Sequence, residues 1–121
     1  MPMTILTIDD SRTMRDILKM TLMDAGYRVL QAVDGLDGLS VLDSEKPDVI
    51  TTDLNMPNLD GFGFIEQVRS RADFLGVPIL VLTTEGSQEK RNIARKAGAT
   101  GWIVKPFDGP KLIDVIRRIA S

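Results

Sequence analysis

Two hydrophobic rhythms alternate along this chain from end to end. Short apolar runs rich in β-branched residues mark strands, and apolar positions three and four apart mark helices. Thr4 to Ile8 is the first such run. Met14, Ile17, Leu18, Thr21, Leu22 and Ala25 then share one helical stripe, with Arg12, Arg15 and Lys19 opposite and Met23 outside it. Gly26 supplies a helix stop. Arg28 to Val33 reads as the second strand. Asp34-Gly35-Leu36-Asp37 reads as the capped start of a helix that turns Leu36, Leu39 and Leu42 inward. Gly38 inside that helix should cost about 1 kcal/mol relative to alanine. Pro47 closes the segment, and Asp48 to Asp53 is the third strand.

Leu54 to Asp60 is a loop containing Pro57, and Asp60 caps a helix that buries Phe64, Ile65 and Val68. Pro78 opens the fourth strand, Ile79 to Thr83, at a position where proline is tolerated. Ser87 caps the next helix, whose apolar content is thin: Ile93, Ala94 and Ala97. Gly98 ends it, and Gly101 to Val104 is the fifth strand. Asp108-Gly109-Pro110 starts the last helix, with Leu112, Val115, Ile116 and Ile119 as its buried stripe. Five strands alternating with five helices predict an α/β fold, a doubly wound parallel sheet covered on both faces. The common strand order at this size is 2-1-3-4-5, the flavodoxin-like arrangement. Near-continuous apolar runs at the third and fourth strands agree, because such strands are buried on both sides.

Composition narrows the chemistry. A length of 121 residues fits one domain, 1–121, and 43% apolar residues can build a core. A net charge of −2 does not suit a general nucleic-acid binder. With no cysteine, disulfides and thiolate metal sites are excluded. With no histidine, a histidine base, histidine-ligated zinc and a phosphohistidine on this chain are excluded as well. There is no basic segment leading into an apolar one and no apolar run approaching the roughly 20 residues of a membrane span. A cytoplasmic monomer with no membrane contact and no output domain is therefore expected.

Four polar signals directly follow apolar runs: Asp9-Asp10, Asp53, Thr83 and Lys105-Pro106. A parallel α/β sheet gathers the carboxyl ends of its strands along the edge where such folds bind ligands. Adjacent carboxylates repel unless a cation lies between them, and Mg²⁺ is content with a few carboxylates plus water. Asp53 can be a third ligand or a nucleophile, since carboxylates form aspartyl-phosphate intermediates. A hydroxyl at Thr83 and an ammonium at Lys105 suit phosphoryl oxygens. Lys105-Pro106 also suggests a rigid turn with a cis peptide bond. Each residue alone has an ordinary explanation: Asp10 as a helix cap, Asp53 as a turn residue, Thr83 as a strand former, Lys105 as a loop charge. Their joint placement at four strand ends favours the shared site.

The pieces Ile8-Asp9-Asp10-Ser11, Asp34-Gly35, Asp53-Leu54-Asn55-Met56-Pro57 with Asp60-Gly61, Leu82-Thr83, and Ala97-Gly98-Ala99 through Lys105-Pro106-Phe107 occur in this order. With them the chain resembles, over essentially its whole length, the receiver domains of two-component response regulators, in particular the CheY-like single-domain chemotaxis type. The resemblance implies a phosphoacceptor signalling domain rather than an enzyme. It implies that Asp53 takes a phosphoryl group from a histidine kinase, a chemotaxis kinase of the CheA type. It implies Mg²⁺ held by Asp10, Asp53 and the backbone carbonyl of Asn55, with Asp9 acting largely through water. Thr83 and Lys105 would contact the phosphoryl group, and Thr83 and Trp102 would form the switch.

Some positions depart from that pattern. Trp102 stands where tyrosine or phenylalanine is usual, Gly38 where alanine is usual, and Thr84 where a smaller residue is common. Thr84 could narrow the path of water to an aspartyl phosphate and slow hydrolysis. Lys90, Arg91, Arg95 and Lys96 form a basic face on the fourth helix. They suit either a solvated surface or an acidic docking partner, which the resemblance would make a flagellar motor switch protein. A phosphate sink and a regulator outside motility remain alternatives. A degenerate receiver that only binds, a Mg²⁺-dependent phosphohydrolase and a flavodoxin-like cofactor binder fit less well. Asn55 stands where the hydrolase wants an acid/base carboxylate, and no glycine-rich phosphate loop follows the first strand.

Overall fold

The β-branched runs pair as a sheet, and the periodic segments between them cover it. The structure, a computed structural model, describes residues 2–120. The strands are β1 (Thr4–Ile8), β2 (Arg28–Ala32), β3 (Val49–Thr52), β4 (Ile79–Thr83) and β5 (Gly101–Val104). They pair in parallel in the order β2-β1-β3-β4-β5. The helices are α1 (Arg12–Asp24), α2 (Gly35–Leu42), α3 (Gly61–Arg69), α4 (Gln88–Ala97) and α5 (Gly109–Ala120). A 3-10 turn at Ala72–Phe74, which the apolar pattern does not reveal, leads towards β4.

Alternate strand residues point to opposite faces and build two cores. Ile5, Leu80, Leu82 and Ile103 pack with Leu18 and Leu22 of α1 and Leu112 and Ile116 of α5. Leu6, Ile8, Ile50, Ile79 and Val81 pack with Leu39 and Leu42 of α2, Phe64, Ile65 and Val68 of α3, and Ala94 of α4. Every residue of β3 and β4 is buried, as strands covered on both sides must be. Among the described residues no helix is long and apolar enough to cross a membrane.

Capping follows the sequence closely. The side chains of Ser11, Asp34, Asp60 and Ser87 each accept a backbone N–H from the first turn of the helix they precede. Gly98 ends α4 at φ 122°, a conformation that suits a residue with no Cβ. Its carbonyl accepts two hydrogen bonds from the Arg69 guanidinium, at 3.1 and 2.9 Å, which ties the ends of α3 and α4 together. Burial lowers the pKa of that guanidinium.

Two inward assignments are corrected. Leu36 is 54% exposed. The inward line of α2 is instead Gly35, Gly38, Leu39 and Leu42. A Cβ on Gly35 would lie 2.6 Å from the Leu59 carbonyl oxygen, so the helix start sits too close to the next loop for any side chain there. Hydrophobic counting ignores glycine and rotates the predicted face by one position. Ile17 is 45% exposed, because Leu18 and Leu22 hold the centre of the α1 contact and Ile17 falls on its flank. There it lines a shallow hollow with Met14, Pro106 and Phe107. Two strand boundaries are also trimmed: β2 stops at Ala32 rather than Val33, and β3 excludes Asp48 and Asp53.

Candidate functional site

The register of the sheet assembles the site. Ile8 lies opposite Thr52, so the next residues, Asp9 and Asp53, leave the sheet side by side. The Asp53 N–H donates to the Ile8 carbonyl at 3.1 Å. Thr83 lies opposite Val104, and the Lys105 N–H donates to the Thr83 carbonyl at 2.7 Å. Residues far apart in sequence thus meet at one carboxyl edge.

Ligand oxygens of Asp9, Asp10 and Asp53 all lie within 4.8 Å of one another. The Lys105 ammonium donates to Asp9 Oδ2 at 2.6 Å and to Asp53 Oδ2 at 3.2 Å. Burial works against the charge on Lys105, but the hydrogen bond and charge of Asp9, reinforced by Asp53, outweigh it. The ammonium therefore holds its proton above the ordinary lysine range. Asp9 Oδ1 accepts the Ser11 N–H at 2.9 Å, and Asp53 Oδ1 accepts the Leu54 N–H at 2.7 Å. Asp9 is buried, Asp53 half-buried and Asp10 exposed, so the cluster opens to water through Asp10. Its chemistry fits a small hard cation: carboxylate oxygens, no imidazole or thiolate donors, and access to solvent through the exposed Asp10. Lys105-Pro106 is cis.

Thr83 is fully buried, and its Oγ1 accepts the Glu85 N–H at 3.3 Å. Trp102 is half-buried against the core, and its Nε1–H donates to the Glu85 carbonyl at 3.1 Å. Glu85 is the residue that sequence reasoning missed. Its carboxylate pairs with Lys90 at 2.9 Å. The hydrogen bond and charge of Lys90, with a smaller contribution from the Asn55 side chain, hold that carboxyl below its ordinary pKa. Its position two residues past Thr83, in the loop that leaves the end of β4, is the signal that could have found it. Asn55 is exposed in the loop that follows β3, and Thr84 is exposed beside Thr83.

The basic face of α4 is partly engaged within the chain. Lys90 pairs with Glu85, and the Arg91 guanidinium lies 5.8 Å above the centre of the Trp102 ring system. Arg95 and Lys96 are exposed. A groove of about 330 Å³ runs beside this face, lined in part by Arg91, Trp102, Val104, Phe107 and Lys111.

Comparison with known proteins agrees with this geometry. The family model described as "Response regulator receiver domain" matches residues 5–117. Chemotaxis protein CheY1 of Helicobacter pylori is 43% identical over 107 residues, spanning 87% of this chain and 86% of that protein. Response regulator MprA of Mycolicibacterium vanbaalenii is 40% identical over 119 residues, which are 98% of this chain but 51% of MprA. The solved structure of Vibrio cholerae chemotaxis protein CheY4 superposes with a TM-score of 0.95 at 41% identity, covering 98% of this chain and 99% of that one.

Proposed function

This chain belongs to the response regulator receiver family, whose domains serve two-component signalling rather than catalysis, and on that premise we propose that it is phosphorylated on Asp53. The observation that carries this reading is the contact of Lys105 with both Asp9 and Asp53 beside Asp10. It puts an acceptor carboxylate, two further carboxylates and a cation in one cluster. A carboxylate oxygen of Asp53 attacks the phosphorus of a phosphohistidine on a histidine kinase. The new O–P bond forms as the N–P bond breaks, and the electron pair returns to the imidazole. Asp10, Asp53 and the Asn55 carbonyl are the direct ligands proposed for Mg²⁺, with Asp9 acting through water. The bound ion would neutralise charge on the phosphoryl oxygens. Lys105 and the Thr83 hydroxyl hold those oxygens.

Movement of Thr83 towards the phosphoryl group would break its bond to the Glu85 N–H, and with it the arrangement that seats Trp102. The surface of α4, β5 and α5 then changes. We assign this surface, with Arg95, Lys96 and the groove beside Trp102, to an acidic partner. The similarity to two chemotaxis proteins favours a CheA-type kinase and a flagellar motor switch protein as donor and target. The match to MprA, which is longer than this chain, favours a second reading: a regulator outside motility. A phosphate sink that drains a shared kinase uses the same chemistry.

The test is intact-mass spectrometry and Trp102 fluorescence after adding Mg²⁺ and then acetyl phosphate, with Asp53→Asn as control. One phosphoryl group gained by the wild type and none by the variant is the expected result. Equal phosphorylation of both would remove Asp53 from its role.

A further inference from the structure

Asp9 is the first residue past the end of β1, and each of its polar groups has a partner. Its N–H donates to the Ala32 carbonyl at 3.2 Å, a last rung towards β2. Its Oδ2 takes Lys105. Its Oδ1 accepts the Ser11 N–H, a side-chain turn that spans Asp10. Its backbone carbonyl, beyond the last rung with β3, is taken at 2.9 Å by Nη1 of Arg15. Arg15 is half-buried in the first turns of α1, where its own carbonyl accepts Gln31 Nε2 of β2 at 3.0 Å.

We propose that Arg15 is a positioning residue for the acidic site, holding the Asp9–Asp10 peptide so that the exposed Asp10 carboxylate stays beside those of Asp9 and Asp53. The peptide is planar, so fixing the Asp9 carbonyl fixes the plane that carries the Asp10 N–H and with it the position of the Asp10 Cα. The turn from Asp9 Oδ1 to Ser11 fixes the far side of the same residue. Asp10 is exposed, and without these restraints its carboxylate would pay an ordering cost on meeting a cation. This inference rests on the reading of Asp9, Asp10 and Asp53 as a divalent-cation site.

Charge and position act in opposite directions here, which makes the inference testable. A guanidinium near a cation site repels the cation, so removal of Arg15 for its charge alone would tighten binding. Removal of a group that orients a ligand weakens binding, typically by tenfold or more. Mn²⁺ serves as the probe, with unbound ion counted by electron paramagnetic resonance and Mg²⁺ as competitor. Arg15→Met is expected to raise the Mn²⁺ dissociation constant about tenfold, with the far-UV spectrum and the melting temperature in EDTA close to wild type. Arg15→Lys keeps the charge and one donor, and should fall between the two. Unchanged or tighter Mn²⁺ binding in Arg15→Met overturns the proposal. If that variant does not fold, Arg15→Lys decides: binding equal to wild type overturns the proposal. Absence of Mn²⁺ binding to the wild type would instead remove the cation site itself, and this inference with it.

Discussion

The indole N–H of Trp102 donates to the backbone carbonyl of Glu85 at 3.1 Å. The N–H of the same Glu85 donates to Thr83 Oγ1 at 3.3 Å. One residue therefore joins the buried hydroxyl at the site to the aromatic ring at the neighbouring surface. Arg91 above the ring adds a cation–π contact that favours the same placement.

Removing the hydroxyl should uncouple the two ends. Thr83→Val keeps the β-branched shape in a fully buried position but removes the acceptor. Mg²⁺ should still alter Trp102 fluorescence in that variant, because the carboxylates are untouched. The further response to beryllofluoride should be lost. A full beryllofluoride response in Thr83→Val would show that the hydroxyl does not link site and ring.

Lys105 holds two carboxylates that would otherwise repel each other. Its side chain is 9% exposed, against 2% for Asp9 and 14% for Asp53. Removing one member of a buried ion cluster leaves uncompensated charge. In EDTA at neutral pH, Lys105→Met should lose about 2 kcal/mol of stability, somewhat under the range for fully buried pairs because Asp53 keeps some contact with water. Millimolar Mg²⁺ should restore much of the loss. Because the folded-state pKa is raised, the stabilisation is complete below the usual lysine value of 10.5 and is lost as pH rises through the folded value. Urea titrations in EDTA from neutral to alkaline pH should show an alkaline decline in wild type that is shallower in Lys105→Met. Parallel pH profiles would contradict the assignment.

Gly38 tests whether local propensity or packing decides. Alanine should gain about 1 kcal/mol on helix propensity alone. A Cβ there would lie 2.7 Å from Ile8 Cδ1 and 2.9 Å from Phe64 Cε1. Both side chains are buried and held by the core, and overpacking costs about 1–3 kcal/mol. Gly38→Ala should therefore destabilise by about 1 kcal/mol in net terms. Phe64→Leu opens space beside that position, so the double variant should be more stable than the sum of the single changes predicts. A stabilising Gly38→Ala, or additive free energies in the double variant, would mean the ring does not exclude the methyl group.

The same contact explains what could be read from the sequence. Strand ends announce themselves, because a carboxylate, hydroxyl or ammonium straight after an apolar run has few other places to go. Asp9, Asp53, Thr83 and Lys105 were legible for that reason. Faces defined by glycine were not legible: Gly35 and Gly38 carry no hydrophobic signal, and Leu36 was turned inward in their place. Glu85 was hidden because its main contacts are made by its backbone, which a residue type does not report. Arg15 read as one more polar residue on the outer face of α1, since nothing in the periodicity distinguishes a guanidinium in water from one that reaches back to a strand end.

Asp34 ties two loops together and should leave a signature in acid. Its Oδ1 accepts the Asp37 N–H at 2.8 Å, and its Oδ2 accepts Asn58 Nδ2 at 2.7 Å. Asn58 adopts φ 69° in the loop that carries Asn55, and the Gly35 N–H reaches the Leu59 carbonyl at 3.2 Å. The start of α2 is thereby fastened to the loop that follows Asp53. The hydrogen bond from the Asp37 backbone, followed by that from Asn58, lowers the Asp34 pKa below its ordinary 3.8. A lowered folded-state value means the stabilisation is complete above the ordinary value and is lost as pH falls through the folded one. Asparagine is an equally good helix cap, but Asp34→Asn replaces two charge-assisted hydrogen bonds with weaker neutral ones, and Asn58 must turn its amide over to stay paired. At neutral pH the variant should unfold at lower urea than wild type. The gap should narrow as pH falls below the ordinary value, where wild-type Asp34 gains its proton, while the remaining carboxylates titrate alike in both proteins. A gap that stays constant through that range would mean the charge of Asp34 contributes nothing to holding the two loops together.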